Sequence, residues 1–181
     1  MDIAIYGGSF DPPHIGHEKI VNLVLKNLSI DKLFIVPAFL NPFKSKYHLE
    51  PTVRLELIKE LFSDLLKVQV CDFEIKSNKP ITTYETIKYI KDLYKIDKIY
   101  LIIGSDNLKT IHLWYNFTIL KDLVEFIVIN RPNFPLTNKH IKFKSLLLNE
   151  DISSSQLRDK MELDYIPQKI KQKVKKLWKI E

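Results

Sequence analysis

Of the chain's four glycines, Gly7, Gly8 and Gly16 fall within ten residues of one another, directly after the apolar run Ile3-Ala4-Ile5-Tyr6, and the fourth is Gly104. With so little glycine elsewhere, these positions mark places where the backbone comes close to something. The apolar run reads as a short buried strand. After it, Ile15 to Leu28 places Ile20, Leu23, Val24 and Leu28 on one side of a helix.

The same alternation continues along the chain. Lys32 to Val36 reads as a strand stopped by Pro37. Thr52 caps a helix running to about Leu66, and Val68 to Cys71 is a third strand. Thr82 or Thr83 caps a helix reaching about Tyr94, followed by the apolar strand Lys98 to Ile103. A helical stretch from Trp114 to Leu123 leads into strand Glu125 to Ile129. Ile141 to Phe143 and Leu146 to Leu148 are further strand material, and helices cover Ser154 to Met161 and Pro167 to Trp178. The pattern predicts an α/β fold: a Rossmann-like, doubly wound, mostly parallel sheet with helices on both faces and a small C-terminal helical segment. Such sheets bind ligands at the carboxyl ends of their strands, where strand order reverses. The expected organisation is one domain over 1–181, with a core over 1–150 and the helical segment over 151–181.

Composition narrows the class. The 181 residues suffice for one sizeable core, and 45% apolar content argues against extended disorder. Cys71 is the only cysteine, so no disulfide forms within the chain and a reducing compartment fits. No secretory pattern opens the sequence and no apolar run approaches the roughly 20 residues that span a bilayer. A cytoplasmic protein with no membrane partner is expected. The net charge of +6 suits phosphate ligands, nucleic acid or a membrane surface without choosing among them. Much of the excess lies in Lys169, Lys171, Lys173, Lys175, Lys176 and Lys179, which read as a solvated helix face.

The chemistry is concentrated in Gly7-Gly8-Ser9-Phe10-Asp11-Pro12-Pro13-His14-Ile15-Gly16-His17. The glycines allow a phosphate to approach backbone N–H groups. His14 and His17, three apart, put two imidazoles on one side of a first helical turn, whose N-terminus adds positive potential. That combination suits a phosphate gaining charge during transfer. A second segment, Ile152-Ser153-Ser154-Ser155-Gln156-Leu157-Arg158, offers hydroxyls and free N–H groups at a helix start, with an arginine one turn on. Taken alone it is equally a plain cap followed by a surface arginine.

His14-Ile15-Gly16-His17 resembles the (H/T)xGH signature of the nucleotidylyltransferase superfamily, and Ile152 to Arg158 resembles its ISSTxxR signature, with Ser155 where threonine is common. Further details resemble the bacterial nicotinate-nucleotide adenylyltransferase family. They are the opening Gly7 to His14, Pro37 to Lys44, Thr83-Tyr84-Glu85-Thr86, Gly104 to Leu108, Trp114-Tyr115, Asn130-Arg131-Pro132, and Tyr165-Ile166-Pro167 with Val174. Almost the whole chain is covered. Asn133 departs from the family's glycine after Arg-Pro, the stretch from Arg131 to Ile152 is short, and residues 160 to 164 are abbreviated.

The resemblance implies transfer of AMP from ATP to nicotinate mononucleotide, giving deamido-NAD and pyrophosphate in NAD biosynthesis. His17 would hold the α-phosphate, His14 would assist on the triphosphate side, and Lys44 and Arg158 would steady the phosphates. Gly7, Gly8, Ser9, Phe10, Gly16, Gly104, Asp106 and Ile152 to Ser155 would complete the ATP site, with Asp106 at the adenosine ribose. Lys44, Thr83, Tyr84, Trp114, Tyr115 and Arg131 would hold the mononucleotide. Trp114 offers a flat face to a pyridine ring, and a helix opening at Thr83-Tyr84 presents free N–H groups to the nicotinate carboxylate. Mg²⁺ is expected to arrive with ATP, without a dedicated protein cage. The partners are ATP and the mononucleotide, with no nucleic acid, in a monomer or homo-oligomer. Alternatives are pantetheine phosphate or nicotinamide mononucleotide as acceptor, a non-catalytic nucleotide-binding regulator, and a nucleic-acid-binding protein.

Overall fold

The computed structural model describes residues 1–40, 46–148, 157 and 162–179. The chain runs β1 (Asp2–Gly8), α1 (Ile15–Asn27), β2 (Lys32–Pro37), α2 (Pro51–Leu61), β3 (Val68–Val70), α3 (Phe73–Lys76), α4 (Thr83–Leu93) and β4 (Lys98–Gly104). Two 3-10 turns, Ser105–Asn107 and Ile111–Leu113, then lead to α5 (Phe117–Leu123), β5 (Glu125–Ile129) and β6 (Phe143–Leu146). A 3-10 turn at Leu163–Tyr165 and helix α6 (Gln168–Leu177) follow.

The described strands form one sheet in the order β3-β2-β1-β4-β5-β6, parallel at every pairing. Strand order reverses between β1 and β4, so the crevice beyond their carboxyl ends is the natural ligand position. Alternation along the strands supplies both faces. Ala4, Tyr6, Leu33, Ile35, Ile102 and Ile127 point to the layer of α1, α2 and α6. Ile3, Ile5, Phe34, Val36, Leu101 and Val128 point to the layer of α4 and α5.

Several boundaries differ from the sequence reading. β2 continues through Pro37, which pairs with Gly8. Pro37 lies on the side of Ile35 that faces β3, and β3 has ended by then, so its missing N–H removes no ladder bond. Helix α2 starts at Pro51 with Glu50 as its cap, not Thr52, because proline suits a first helical position, and it stops at Leu61. The expected helix from Trp114 is broken: Trp114 is extended and Asn116 has a φ of 52°, so α5 begins only at Phe117. β6 is confined to Phe143–Leu146, after which the Asn130 side chain takes over the pairing by bonding both N–H and C=O of Leu148. The helix expected over Ser154 to Met161 lies outside the described residues except for Leu157, which is buried in the cluster that holds Tyr6 and Phe10. The C-terminal lysines are less free than a solvated face implies. Lys169 reaches Asp64 (2.6 Å), Lys173 reaches Glu60 and Lys171 reaches Asp164 (3.6 Å), tying α6 to α2 and to the preceding turn. No helix among the described residues is long and apolar enough to cross a membrane.

Candidate active site

The turn after β1 is set by a residue other than glycine. Phe10 adopts a φ of 48°, in the left-handed region that bulky residues avoid, and its ring is buried. A Cβ on Gly8 would meet that ring at 3.1 Å, whereas a Cβ on Gly7 would find nothing nearer than 3.8 Å. Gly8 therefore makes room for Phe10, whereas a side chain at Gly7 would only touch the Val36 carbonyl.

The loops around this turn are tied by two buried charged residues that the motif reading passed over. Arg54 on α2 is 1% exposed. It donates to the carbonyls of Ser9 (2.5 Å), Ala38 (2.8 Å), Phe39 (2.8 Å) and Leu49 (3.1 Å). The Asp11 carboxylate accepts from the N–H groups of His48 and Leu49, each at 2.9 Å. A signal for Arg54 existed: it occupies the stripe of Leu57, Ile58 and Leu61, where an apolar residue is the norm.

His14 caps α1 and His17 sits in its first turn, their ring centroids 3.7 Å apart, with Phe10 at 4.7 Å from His17. The His14 N–H donates to His17 Nδ1 at 3.1 Å. That bond makes Nδ1 an acceptor and leaves the His17 proton on Nε2, available to a ligand oxygen. His14 Nδ1 is buried without a hydrogen-bond partner, an arrangement that calls for an explanation such as a ligand. Burial pushes His14 down to about 3, helped by the Arg131 charge, and burial together with His14 and Arg131 holds His17 well below the usual range. Both rings are neutral at physiological pH, and positive potential comes from the start of α1 and from Arg131. Gly16 is buried between the two rings in sequence.

At the carboxyl ends of β4 and β5, Asp106 and Arg131 form an ion pair at 3.0 Å. A Cβ on Gly104 would lie 2.2 Å from the Asp106 carboxylate and 2.7 Å from Arg131 Nε, so the pair crosses the strand end only because residue 104 lacks a side chain. Ser105 Oγ fixes the Arg131 turn by accepting from Arg131 N–H (2.9 Å) and donating to the Phe134 carbonyl (3.1 Å). Asn133, in that turn, has a φ of 66°. This accounts for the departure from the family pattern, because asparagine is among the few residues that tolerate the conformation glycine usually supplies.

Helix α4 opens with a capping box: Thr82 Oγ1 accepts from Glu85 N–H (3.3 Å), and the Glu85 carboxylate accepts from Thr82 N–H (2.8 Å). Thr83 and Tyr84 N–H belong to the first turn, which offers them no acceptor within the helix. Tyr84 and Tyr115 meet edge to face at 6.1 Å. Trp114 packs on the core, yet its Nε1 is buried without a partner. Lys44, Ile152, Ser153, Ser154, Ser155 and Arg158 lie outside the described residues.

The family model described as Cytidylyltransferase-like matches residues 5–160. A relative from Aliarcobacter butzleri (strain RM4018), called "Probable nicotinate-nucleotide adenylyltransferase", is 46% identical over 96% of this chain and 95% of its own length. The chain belongs to the nicotinate-nucleotide adenylyltransferase family. A relative of the same name from Campylobacter jejuni (serotype O:23/36, strain 81-176) is 42% identical over 98% of this chain and 97% of its own. Among solved structures, the Plasmodium falciparum nicotinic acid mononucleotide adenylyltransferase complexed with NaAD superposes with a TM-score of 0.80 at 25% identity, covering 99% of this chain and 96% of that one.

Proposed function

We propose that this chain transfers AMP from ATP to nicotinate mononucleotide, releasing pyrophosphate and forming deamido-NAD for NAD biosynthesis. Family membership supports the reaction. The structural observation that carries it is the neutral His14–His17 pair at the opening of α1, with one unpartnered buried nitrogen and one Nε2–H left for a ligand.

In the proposed mechanism an oxygen of the mononucleotide phosphate attacks the α-phosphorus of ATP, and the bond from that phosphorus to the β-phosphate's bridging oxygen breaks. The second pKa of a phosphate monoester is near 6, so at neutral pH the acceptor is already a dianion and needs no general base. Positioning and charge stabilisation are then the protein's contribution. His17 Nε2–H and the first turn of α1 contact the α-phosphate, with His14 beside them. The backbone N–H of His14 occupies His17 Nδ1, so His17 serves as a neutral Nε2–H donor and the start of α1 supplies the positive potential. Lys44 and Arg158 steady the phosphates together with Ser154 and Ser155. Asp106 takes the adenosine ribose. Trp114, Tyr84 and Tyr115 hold the pyridine ring, and the Thr83 and Tyr84 N–H groups face its carboxylate. Mg²⁺ bound to the ATP phosphates would neutralise part of their charge. It needs few protein ligands, and among the described residues no group of three or more His, Cys, Asp or Glu could hold an ion. A cytoplasmic setting fits the substrates.

Pyrophosphate release, measured with ATP and separately with nicotinate mononucleotide, nicotinamide mononucleotide and pantetheine phosphate, tests the proposal. The largest kcat/KM belongs to nicotinate mononucleotide. Turnover with pantetheine phosphate alone overturns the assignment.

A further inference from the structure

Glu74 is a buried carboxyl group that the mechanism does not use. It is 8% exposed, on the four-residue α3 just beyond the carboxyl end of β3. Its Oε1 accepts from Thr86 Oγ1 at 2.7 Å. Thr86 in turn donates its backbone N–H to Thr82 O, so Glu74 is fastened one turn below the Thr83 and Tyr84 N–H groups. Alongside it, Phe73 stacks on Tyr89 of α4 at 4.0 Å, which locks α3 against that helix.

We propose that Glu74 tunes the choice between an acidic and an uncharged pyridine, because its carboxyl group lies beneath the helix turn that faces the ring's substituent. This rests on the assignment of the α4 opening to the mononucleotide. The positive end of a helix attracts an anion, and a negative charge fixed within the same turns offsets that attraction. With Glu74 neutral, the field at Thr83 and Tyr84 is opposed by the Glu85 carboxylate alone of the two, and it favours nicotinate more than when Glu74 is ionised. An ionised Glu74 weakens nicotinate binding and scarcely affects nicotinamide, which carries no charge there.

The surroundings make the change of state accessible. Burial, partly countered by the Thr86 hydrogen bond and reinforced by the Glu85 charge, raises Glu74 to about 7. Glu85, on α4, is held below the usual carboxylate range by its bonds to Thr82 and stays charged throughout. Cys71, after β3, has its thiol raised by burial and so remains neutral over the same interval. Asp72, the cap of α3, is engaged by Lys76 at 3.0 Å and by Lys59 of α2 at 4.0 Å. Glu74 is the member of this group whose charge changes near neutrality.

The test is the ratio of kcat/KM for nicotinate mononucleotide to that for nicotinamide mononucleotide, measured from pH 6 to 8.5. Both acceptors carry the same phosphate, and both meet the same histidines and the same ATP, so those titrations cancel in the ratio. The wild-type ratio falls about five-fold as pH rises through Glu74's titration, the scale of one buried charge acting nearby. Glu74→Gln keeps an acceptor for Thr86 without the charge, and its ratio stays flat at the low-pH value. Thr86→Val removes the bond that favours the ionised form and moves the fall to higher pH, which keeps the proposal testable should the glutamine variant misfold. A flat wild-type ratio, or an unchanged fall in Glu74→Gln, overturns the inference while leaving the acceptor assignment intact. Absence of turnover with either pyridine nucleotide removes both.

Discussion

At the two ends of the crevice, burial shifts titratable groups in opposite directions, the imidazoles down and a carboxyl group up. At the proposed triphosphate end, two imidazoles are buried and lose their protons. At the proposed pyridine end, burial raises a carboxyl group to about 7, so it holds its proton until the pH reaches neutrality. Desolvation disfavours the charged form in both cases. The functional consequences differ. The histidines meet a polyanion as neutral groups, and His17 contributes through its Nε2–H rather than through charge. Glu74 meets a ligand of its own sign, so neutrality is the state that suits binding.

The strongest way to break this comparison is to remove the first pair's donor. His17→Ala lowers turnover by about 100-fold or more while the protein stays folded, the usual loss for a group that contacts developing charge. Near-normal turnover in folded His17→Ala would take His17 out of the mechanism. Stability against pH is the next test, since the two ends predict opposite slopes. The histidines bind fewer protons when folded, so stability falls as pH drops from 6.5 toward about 3. Glu74 binds more when folded, so its contribution is lost as pH rises from 4.5 to about 7. Glu74→Gln is therefore expected to gain stability above pH 7, by about 3 kcal/mol at most, and to match wild type near pH 4. Denaturant midpoints at pH 4 and pH 8 measure it, and equal midpoints at pH 8 would show that the buried acid carries no such cost.

A smaller effect isolates the pyridine end. Thr82→Ala removes one half of the capping box and is expected to lower stability by about 1 kcal/mol, raising KM for the mononucleotide more than for ATP. An equal rise for both substrates would place the opening of α4 away from the acceptor.

Much of this arrangement was legible in the sequence because its signals are local. The alternation of apolar runs and helical stripes gave the parallel sheet, and the string from Gly7 to His17 marked the crevice at β1. What escaped needed three-dimensional neighbours. Nothing within residues 70–76 says that Glu74 is buried, because the group that donates to it, the Thr86 hydroxyl, lies on another helix. The charge state of His14 and His17 is out of the sequence's reach for the same reason: spacing shows that two rings meet, and only the surrounding packing shows that water is excluded from them. The role assigned to Gly8 missed Phe10, whose left-handed backbone folds its ring beneath that glycine.

At the carboxyl ends of β4 and β5 lies the Asp106–Arg131 pair, which gives the smallest expected effect. Each partner is about a third exposed, and exposed pairs contribute at most about 1 kcal/mol. Gly104→Ala places a methyl group where the pair now sits and must push the two side chains apart. Stability should therefore fall by no more than about 1 kcal/mol. Kinetics are more informative, because the pair joins a residue assigned to ATP with one assigned to the mononucleotide. If both assignments hold, the displaced side chains raise KM for both substrates together by a few-fold. A rise for ATP alone would assign Arg131 to a structural role in its turn. A rise for the mononucleotide alone would move Asp106 away from the ribose.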